Sequence, residues 1–294
     1  GTSDTASLVI ANTAPELSSV SISPDPASTS DTLSASASSS DADGDSVTYT
    51  YAWAVNGVST GTSASTLANS YFSKGDTVTV TVTPTDGTDA GTSDSDSLVI
   101  GNTAPSVSAI TMTPSPIGTN DTCSPVVTSA DVDGDSVSYT YAWAVNGTAV
   151  AATSSTLSGV SYFDKGDTVT VTITPTDGTD AGAPVSASIV VGNTAPTVAS
   201  VTLSPSTIYT NDTVNALTGL TSDPDGDAVT LTYNWFVNGI STGATSTSLS
   251  GVSYFDKGDI VRVVITPTDG TDTGSTVAAN VTVSNSAPTA PVIA

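Results

Sequence analysis

Residues 40–57 read SDADGDSVTYTYAWAVNG, an aspartate-rich turn followed by a run in which apolar and polar side chains alternate. Alternation with a period of two places every second side chain on the same face of an extended strand. The face that carries the large side chains consists of Val47, Tyr49, Tyr51, Trp53 and Val55. Asn56-Gly57 then supplies the strongest short hairpin signal. This stretch therefore predicts a half-buried β-strand that ends in a tight turn.

The same stretch returns twice, as ADVDGDSVSYTYAWAVNG at residues 130–147 and as SDPDGDAVTLTYNWFVNG at residues 222–239. A second phrase, N-[TS]-A-P, begins at Asn12, Asn102, Asn193 and Asn285, which gives spacings of 90, 91 and 92 residues. Self-similarity at this period indicates an array of modules. We expect repeat 1 at residues 12–101, repeat 2 at 102–192 and repeat 3 at 193–284. Residues 1–11 match the end of a preceding repeat, and residues 285–294 match the start of a following one.

Repeat 1 shows alternation in several short segments, of which DTVTVTVTP at residues 76–84 is the clearest. We predict seven strands, at residues 17–23, 32–38, 46–56, 58–60, 65–68, 76–84 and 92–100, and the pattern requires no helix. Seven short strands in about 90 residues fit an immunoglobulin-like sandwich, with one core tryptophan per repeat. The expected fold class is all-β: three tandem seven-stranded immunoglobulin-like β-sandwiches in an end-to-end rod, with partial domains at both ends.

The charge balance is strongly acidic. The 294 residues include 4 Lys and Arg against 28 Asp and Glu, a formal net charge of −24. Nucleic acid and anionic membranes would be repelled, so neither is expected as a partner. No apolar run is long enough to span a bilayer. Cys123, the single cysteine, aligns with Leu33 and Val214 of the other repeats, which favours a small buried hydrophobe over a nucleophile.

Aspartates are concentrated at one end of each predicted sandwich. When strands alternate in direction, the start of the first strand, the loop before the tryptophan strand and the last hairpin loop lie at the same end. Carboxylates gathered there repel one another by roughly 1 kcal/mol per pair at 4 Å in water, and Ca²⁺ prefers six to eight oxygen ligands. The sequence thus predicts Ca²⁺ sites at the domain junctions. The candidate ligands are Asn12, Asp41, Asp43, Asp45, Asp86, Asp89, Asn102, Asp131, Asp133, Asp135, Asp177, Asp180, Asn193, Asp223, Asp225, Asp227, Asp269 and Asp272.

A second interpretation of these aspartates remains open, since Asp and Gly are ordinary turn formers in solvated loops. The spacing D-x-D-G-D does not match an EF-hand, which needs Gly at position six and Glu at position twelve. A further set of charged residues falls at the opposite end of each repeat, where we expect either turn residues or weak local ion pairs. This set comprises Asp31, Asp76, Asp121, Asp167, Asp212, Asp259, Lys74, Lys165 and Lys257.

Repeat 3 carries the motifs of a known family. The N-T-A-P linker at Asn193 comes first. It is followed in order by Asp223-Pro224-Asp225-Gly226-Asp227, Tyr233-Asn234-Trp235, the Lys257-Gly258-Asp259 turn and the Thr268-Asp269-Gly270 strand end. This arrangement resembles the PKD-type and cadherin-like immunoglobulin repeats of large bacterial and archaeal surface proteins. The resemblance covers nearly the whole chain, and it implies an extracellular or cell-surface stalk or adhesin module.

We therefore expect a structural segment of a long surface protein, stiffened by Ca²⁺, whose partners are neighbouring repeats of the same chain. One alternative is a carbohydrate- or surface-binding module, because Thr77, Thr79, Thr81 and Thr83 form a hydroxyl row. Another is a filament subunit whose residues 2–10 complete a sandwich in another copy by strand addition. An enzyme is not expected, because the chain has no His and the same exposed aspartates recur in every repeat. Glycans are expected as partners at sequons beginning at Asn120, Asn146, Asn211 and Asn280.

Overall fold

A computed structural model describes residues 3–287 of the chain. Repeat 1 folds into two packed sheets, with strand orders β1-β3-β6 and β2-β8-β7-β4-β5. Its strands are β1 (Glu16–Ser23), β2 (Ala27–Ser28), β3 (Leu33–Ser40), β4 (Thr48–Val55), β5 (Val58–Ser59), β6 (Thr66–Leu67), β7 (Thr77–Thr85) and β8 (Asp94–Gly101). The seven predicted strands are confirmed, and β2 is an addition. It pairs in parallel with β8, and two residues are too few to leave an alternation pattern in the sequence.

Repeat 2 shows the same two sheets, with strand orders β13-β10-β9 and β12-β11-β14-β15. Its strands are β9 (Ser106–Thr113), β10 (Thr122–Ala130), β11 (Ser138–Val145), β12 (Thr148–Val150), β13 (Leu157–Ser158), β14 (Thr168–Thr176) and β15 (Val185–Val190). A single parallel bridge between Ile117 and Val191 takes the place of the β2–β8 pairing.

In repeat 3 the first strand is interrupted, so that its sheet is divided between β16-β19 and β17-β18-β22, facing β21-β20-β23-β24. The strands are β16 (Thr197–Val198), β17 (Val201–Ser204), β18 (Thr213–Thr218), β19 (Thr221–Ser222), β20 (Thr230–Val237), β21 (Ile240–Ser241), β22 (Ser248–Ser250), β23 (Ile260–Thr268) and β24 (Val277–Thr282). The interruption lies at Ala199–Ser200, opposite Gly219–Leu220. The predicted tandem arrangement of immunoglobulin-like sandwiches is confirmed.

The sequence pattern requires no helix, and the described residues add only short helical turns to the all-β fold. Gly159–Tyr162 (α1) and Gly251–Tyr254 (α2) form single helical turns, and Asn69–Tyr71 forms a 3₁₀ turn. Each turn precedes a buried phenylalanine, and a segment of three or four residues is too short to show a helical period. No helix in residues 3–287 has the length and apolar character that a membrane crossing requires.

The core of each repeat follows from the alternation in its strands. Val78, Val80 and Val82 of β7 are fully buried, as the DTVTVTVTP pattern predicts. The three tryptophans are also buried, and each donates its indole N–H to a backbone carbonyl, from Trp53 to Ala64 at 2.9 Å for example. A buried tryptophan whose N–H has a partner is well suited to fill a sandwich that has no disulfide.

By its contacts the chain divides into two compact units, whose boundaries fall within repeat 2. One unit consists of the residues up to 110 together with 127–140 and 173–185, and the other consists of 111–126, 141–172 and the residues from 186 onward. The residues where repeat 1 meets repeat 2, named the first junction below, lie in the first unit. Those where repeat 2 meets repeat 3, the second junction, lie in the second unit. Residues 288–294 of the expected following repeat, and residues 1 and 2, lie outside the described part of the chain.

Cys123 tests the interpretation of this position as a core residue. It is fully buried and pairs with Leu157 across β10 and β13, just as Val214 pairs with Leu249, and burial raises the pKa of its thiol to about 11. We predict that Cys123→Val changes the free energy of unfolding by less than about 1.5 kcal/mol, because the volume is nearly conserved. Cys123→Ser should cost about 1–3 kcal/mol, because it buries a hydroxyl. Urea unfolding of both variants measures this difference, and equal costs would contradict it.

Candidate functional site

The three D-x-D-G-D loops each form a compact acidic turn, named a triad below. Asp41 Oδ1 accepts hydrogen bonds from the backbone amides of Asp43 at 2.9 Å and Asp45 at 3.1 Å. Gly44 has a φ of +83°, which a residue with a side chain rarely adopts. Equivalent turns form at Asp131, Asp133 and Asp135 and at Asp223, Asp225 and Asp227. Within each triad, one carboxylate oxygen from each aspartate lies within 4.8 Å of the others.

Each triad holds a buried carboxylate oxygen without a hydrogen-bond partner among the described residues. The first aspartate of each triad uses Oδ1 for the backbone amides and leaves Oδ2 unpartnered; these atoms belong to Asp41, Asp131 and Asp223. A buried charged oxygen without a partner is unfavourable, and such groups point to a bound water or ion. Three equivalent oxygens in three repeats therefore point to the same kind of ligand.

The asparagine of N-[TS]-A-P forms a second group with the two aspartates of the last hairpin loop. Asn12 Nδ2 donates to Asp86 Oδ2 at 2.9 Å and to Asp89 Oδ2 at 2.8 Å. The same bonds link Asn102 to Asp177 and Asp180, and Asn193 to Asp269 and Asp272. The structure thus brings the eighteen candidate residues together in two kinds of group, three triads and three asparagine-centred groups.

Hydrogen bonds to these carboxylates stabilise their charged form. The side chain of Asn102, with help from the amides of Asp180 and Thr179, lowers the pKa of Asp177 to about 2. Asn193 lowers the pKa of Asp269 to about 2 in the same way, and Asn12 lowers the pKa of Asp86. These aspartates therefore remain ionised well into the acidic range.

The two kinds of group are joined by the residue that follows the asparagine. The backbone amide of Thr13 donates to Asp43 Oδ2 at 2.7 Å, and Thr103 and Thr194 donate in the same way to Asp133 and Asp225. The chain that enters each repeat is therefore held by the triad through its backbone and by the hairpin loop through its asparagine.

The lysines are placed differently from expectation. Lys74 Nζ donates to Asn102 Oδ1 at 2.7 Å and to Asp135 Oδ2 at 2.8 Å, both in the following repeat. Lys165 reaches Asn193 and Asp227 across the second junction in the same way. The predicted local ion pairs at Lys74 and Lys165 are therefore wrong, because each side chain extends beyond its own turn to the acidic end of the next repeat.

The aspartates at the lysine end of each repeat are turn residues, as expected. Asp76 accepts hydrogen bonds from the Ser73 amide at 2.7 Å and from Asn56 Nδ2 at 2.7 Å, and Asp167 and Asp259 form similar pairs. Asp31, Asp121 and Asp212 each accept from the amide three residues earlier. None of these six aspartates belongs to a triad or to an asparagine-centred group.

Sequence patterns did not identify a buried threonine that contacts the triad of the next repeat. Thr119 donates its hydroxyl to Asp225 Oδ1, and its amide donates to Thr194 Oγ1 at 2.9 Å. In sequence these threonines are hidden among many others, since Thr is common throughout the chain. The sequence signal that marks these threonines is their recurrence about 90 residues apart. Every repeated residue shows the same recurrence, so it does not distinguish them.

Chemically, each site is a set of hard oxygen donors with excess negative charge. At the first junction, the five carboxylates of Asp131, Asp133, Asp135, Asp177 and Asp180 face one ammonium group, that of Lys74. Carboxylate oxygens are the donors that Ca²⁺ and Mg²⁺ prefer. The unpartnered oxygens of the triads therefore fit a hard divalent cation.

Comparison with known proteins found no matching family model and no matching curated protein. Among solved structures, the FN1–FN3 domains of chicken CNTN1 are 8% identical, with 92% of this chain and 100% of that chain covered at a TM-score of 0.32. Three N-terminal domains of the outer capsid protein Hoc of bacteriophage RB49 are 15% identical (93% and 99% covered, TM-score 0.33). The N-terminal eight Ig domains of DSCAM are 12% identical (88% and 35% covered, TM-score 0.41). The fold assignment rests on the strand order and buried side chains described above.

The depressed pKa of Asp177 predicts how acid affects the first junction. A carboxylate whose pKa falls on folding stabilises the folded chain above its ordinary pKa of 3.8, and this stabilisation is lost as the pH falls towards 2. We expect Asn102→Ala to raise the pKa of Asp177 towards 3.8 and to reduce the loss of stability between pH 4 and pH 2. Carbon-detected NMR titration of the carboxylates measures the pKa. Asn12→Ala is the matched control, because it should raise the pKa of Asp86 and leave Asp177 unchanged.

The junction lysines predict a salt-dependent stabilisation. We expect Lys74→Met and Lys165→Met each to lower the melting temperature at low ionic strength, because carboxylates of the next repeat lose their counter-charge. The difference from the unmodified chain should shrink in 1 M NaCl, where exposed charges are screened. Lys257→Met is the control, since Lys257 forms no ion pair within residues 3–287. Equal effects of all three substitutions would contradict the assignment.

Proposed function

We propose that this chain is a structural segment of a long extracellular or cell-surface protein, either a stalk or an adhesin, and that it has no catalytic role. The observation that carries the proposal is the repeated polar contact between consecutive repeats. At both junctions a lysine of one repeat binds the asparagine and the last triad aspartate of the next. Because the same contacts join consecutive repeats at both junctions, we infer that these side chains fix the connection between repeats.

We further propose that Ca²⁺ binds the triads and stiffens these connections. The support is the excess of carboxylates at each junction and the unpartnered Oδ2 of Asp41, Asp131 and Asp223. Bound Ca²⁺ would neutralise the repulsion that Lys74 and Lys165 relieve only in part. Because the threonine after each asparagine is hydrogen-bonded to the triad, an ion there would hold the entering chain as well.

In this proposal the triads supply the principal ligands. The residues of each asparagine-centred group are already hydrogen-bonded to one another, so their role is to position the loops. A direct bond from such a residue to the ion would add a ligand to those that the triad supplies. Extracellular calcium-binding modules commonly have dissociation constants of about 10⁻⁴–10⁻³ M. Sites of that strength would be filled outside the cell, in agreement with the proposed location.

A second candidate function, assembly by strand addition, is favoured by residues 3–10. This segment matches residues 93–100 at all but two positions. Leu8 and Ile10 are 90% and 84% exposed, whereas the equivalent Leu98 and Ile100 of β8 are 9% and 1% exposed. Side chains of this kind are buried when the segment pairs within a sandwich. The partner would be the remainder of a preceding repeat or an incomplete sandwich in another copy. For glycan binding, the described residues provide no comparable observation.

The calcium proposal is tested by calorimetric titration of Ca²⁺ into chelator-treated protein, together with melting temperatures with and without the ion. We expect saturable binding near 10⁻⁴–10⁻³ M and a rise in melting temperature. Combining Asp41→Asn, Asp131→Asn and Asp223→Asn should abolish both effects, because it removes the unpartnered oxygens. Asn keeps the Oδ1 acceptor for the two backbone amides, so the turn itself should remain.

The matched control combines Asp76→Asn, Asp167→Asn and Asp259→Asn, which removes the same number of charges at the opposite end of each repeat. Calcium binding should survive in this control. An absence of heat and of thermal shift in the unmodified chain would overturn the calcium proposal and leave the lysine contacts as the connection. Equal loss of binding in both triple variants would show that net charge, rather than the triads, is responsible.

A further inference from the structure

The two junctions differ in how completely their buried polar atoms are paired. At the second junction, Thr119 is 3% exposed, donates its hydroxyl to Asp225, and donates its amide to Thr194 Oγ1 at 2.9 Å. At the first junction, the equivalent hydroxyls belong to Thr29, which is 8% exposed, and to Thr103. These two oxygens, and Asp133 Oδ1 in place of Asp225 Oδ1, are buried without a hydrogen-bond partner among the described residues.

One sequence difference bears directly on the missing contact between the threonine of the next repeat and this turn. The residue before the buried threonine is Gly118 at the second junction and Ser28 at the first. A Cβ atom at Gly118 would lie 2.5 Å from Thr194 Oγ1, closer than such atoms approach one another. A Cβ atom at this position would therefore displace the Thr194 hydroxyl from the place where it accepts from the Thr119 amide. Ser28 has that Cβ atom, and its hydroxyl is bound to Asp31 at 2.8 Å, so Thr103 has no equivalent approach.

The unpartnered atoms at the first junction form a richer oxygen set than those at the second. Thr29 Oγ1, Thr103 Oγ1 and Asp133 Oδ1 add to Asp131 Oδ2, whereas at the second junction Asp223 Oδ2 is the only oxygen among the described residues that is both buried and unpartnered. Buried polar atoms of this kind indicate a bound water or ion. The surrounding carboxylates outnumber the one ammonium group of Lys74, and this charge favours a cation over a neutral water.

We propose that the first junction is the tighter Ca²⁺ site of the two, with Thr29, Thr103, Asp131 and Asp133 as ligands. Ser28 and Gly118 are the residues that set the difference. The second junction closes by direct hydrogen bonds, which occupy the oxygens that the first junction leaves for the ion. This inference rests on the proposed calcium binding. It identifies the junction that depends more strongly on the ion and gives the physical reason. The first junction would loosen more than the second when calcium is removed.

The test uses the full chain with two reporter backgrounds. Asp41→Asn with Asp223→Asn leaves the first-junction triad intact, and Asp41→Asn with Asp131→Asn leaves the second-junction triad intact. Calorimetric titration with CaCl₂ should show at least tenfold tighter binding in the first reporter. Adding Ser28→Gly to the first reporter should weaken binding at least tenfold, because Thr103 can then approach the Thr29 amide. Adding Gly118→Ser to the second reporter should strengthen binding, because it frees Thr194 and Thr119.

Ser28→Ala is the matched control, since it removes the hydroxyl but keeps the Cβ atom, and it should leave calcium affinity unchanged. Thr29→Val in the first reporter should weaken binding tenfold without altering the turn, while Thr119→Val in the second should not weaken it. Equal affinities in the two reporters, or equal effects of Ser28→Gly and Ser28→Ala, would overturn the inference and leave the proposed calcium function standing. If neither the two reporters nor the unmodified chain binds calcium, both the proposed calcium function and the difference between the junctions are overturned.

A bound water in place of the ion gives a different result. In that case Ser28→Gly should raise the melting temperature by the same amount with chelator and with calcium, because it replaces a water-filled gap by a direct hydrogen bond. This outcome would also overturn the inference. If the ion fills the site, Ser28→Gly should instead reduce the thermal shift that calcium produces.

Discussion

Each junction depends on the side-chain amide of one asparagine. Asn102 donates through Nδ2 to Asp177 and Asp180 of its own repeat and accepts through Oδ1 from Lys74 of the preceding repeat. Asn193 does the same at the second junction. A primary amide is the one uncharged side-chain group that offers two donors and an acceptor in fixed directions. Replacement by aspartate would remove the donors and add a further negative charge to an acidic site.

This bridging amide explains why so many carboxylates can gather at the end of a small sandwich. The asparagine, the loop amides and the lysine of the preceding repeat satisfy most of the carboxylate oxygens, and the pKa of Asp177 and Asp269 is lowered to about 2 as a result. Few buried oxygens of the described residues remain unpartnered, and one of them, Oδ2 of the first triad aspartate, recurs in all three repeats. The residues at this acidic end are held by hydrogen bonds that recur from repeat to repeat. The buried oxygens left without partners are the positions that the proposed cation would occupy.

The differences between the two junctions show how a repeat array can vary along its length. The hydrophobic cores of the repeats keep the same tryptophan, the same valine strand and the same hairpins. Ser28 and Gly118, in contrast, differ by one Cβ atom and a hydroxyl, and in our proposal this difference decides whether the neighbouring threonines meet. Small changes at junction residues can therefore tune each connection separately, while the strands that form each sandwich are left unchanged.

The sequence by itself determined the repeats, the strand alternation and the end of the sandwich at which the aspartates gather. Each of these depends on local periodicity or on the alternating direction of strands, and the triads and hairpin loops were predicted from it. Only the tertiary structure decided that Lys74 and Lys165 bind the next repeat, that Thr119 meets Asp225, and which carboxylate oxygens remain unpartnered. The physical reason is that these contacts join residues of different repeats. Their distances depend on how close two backbones approach, which a periodic pattern within one repeat does not specify.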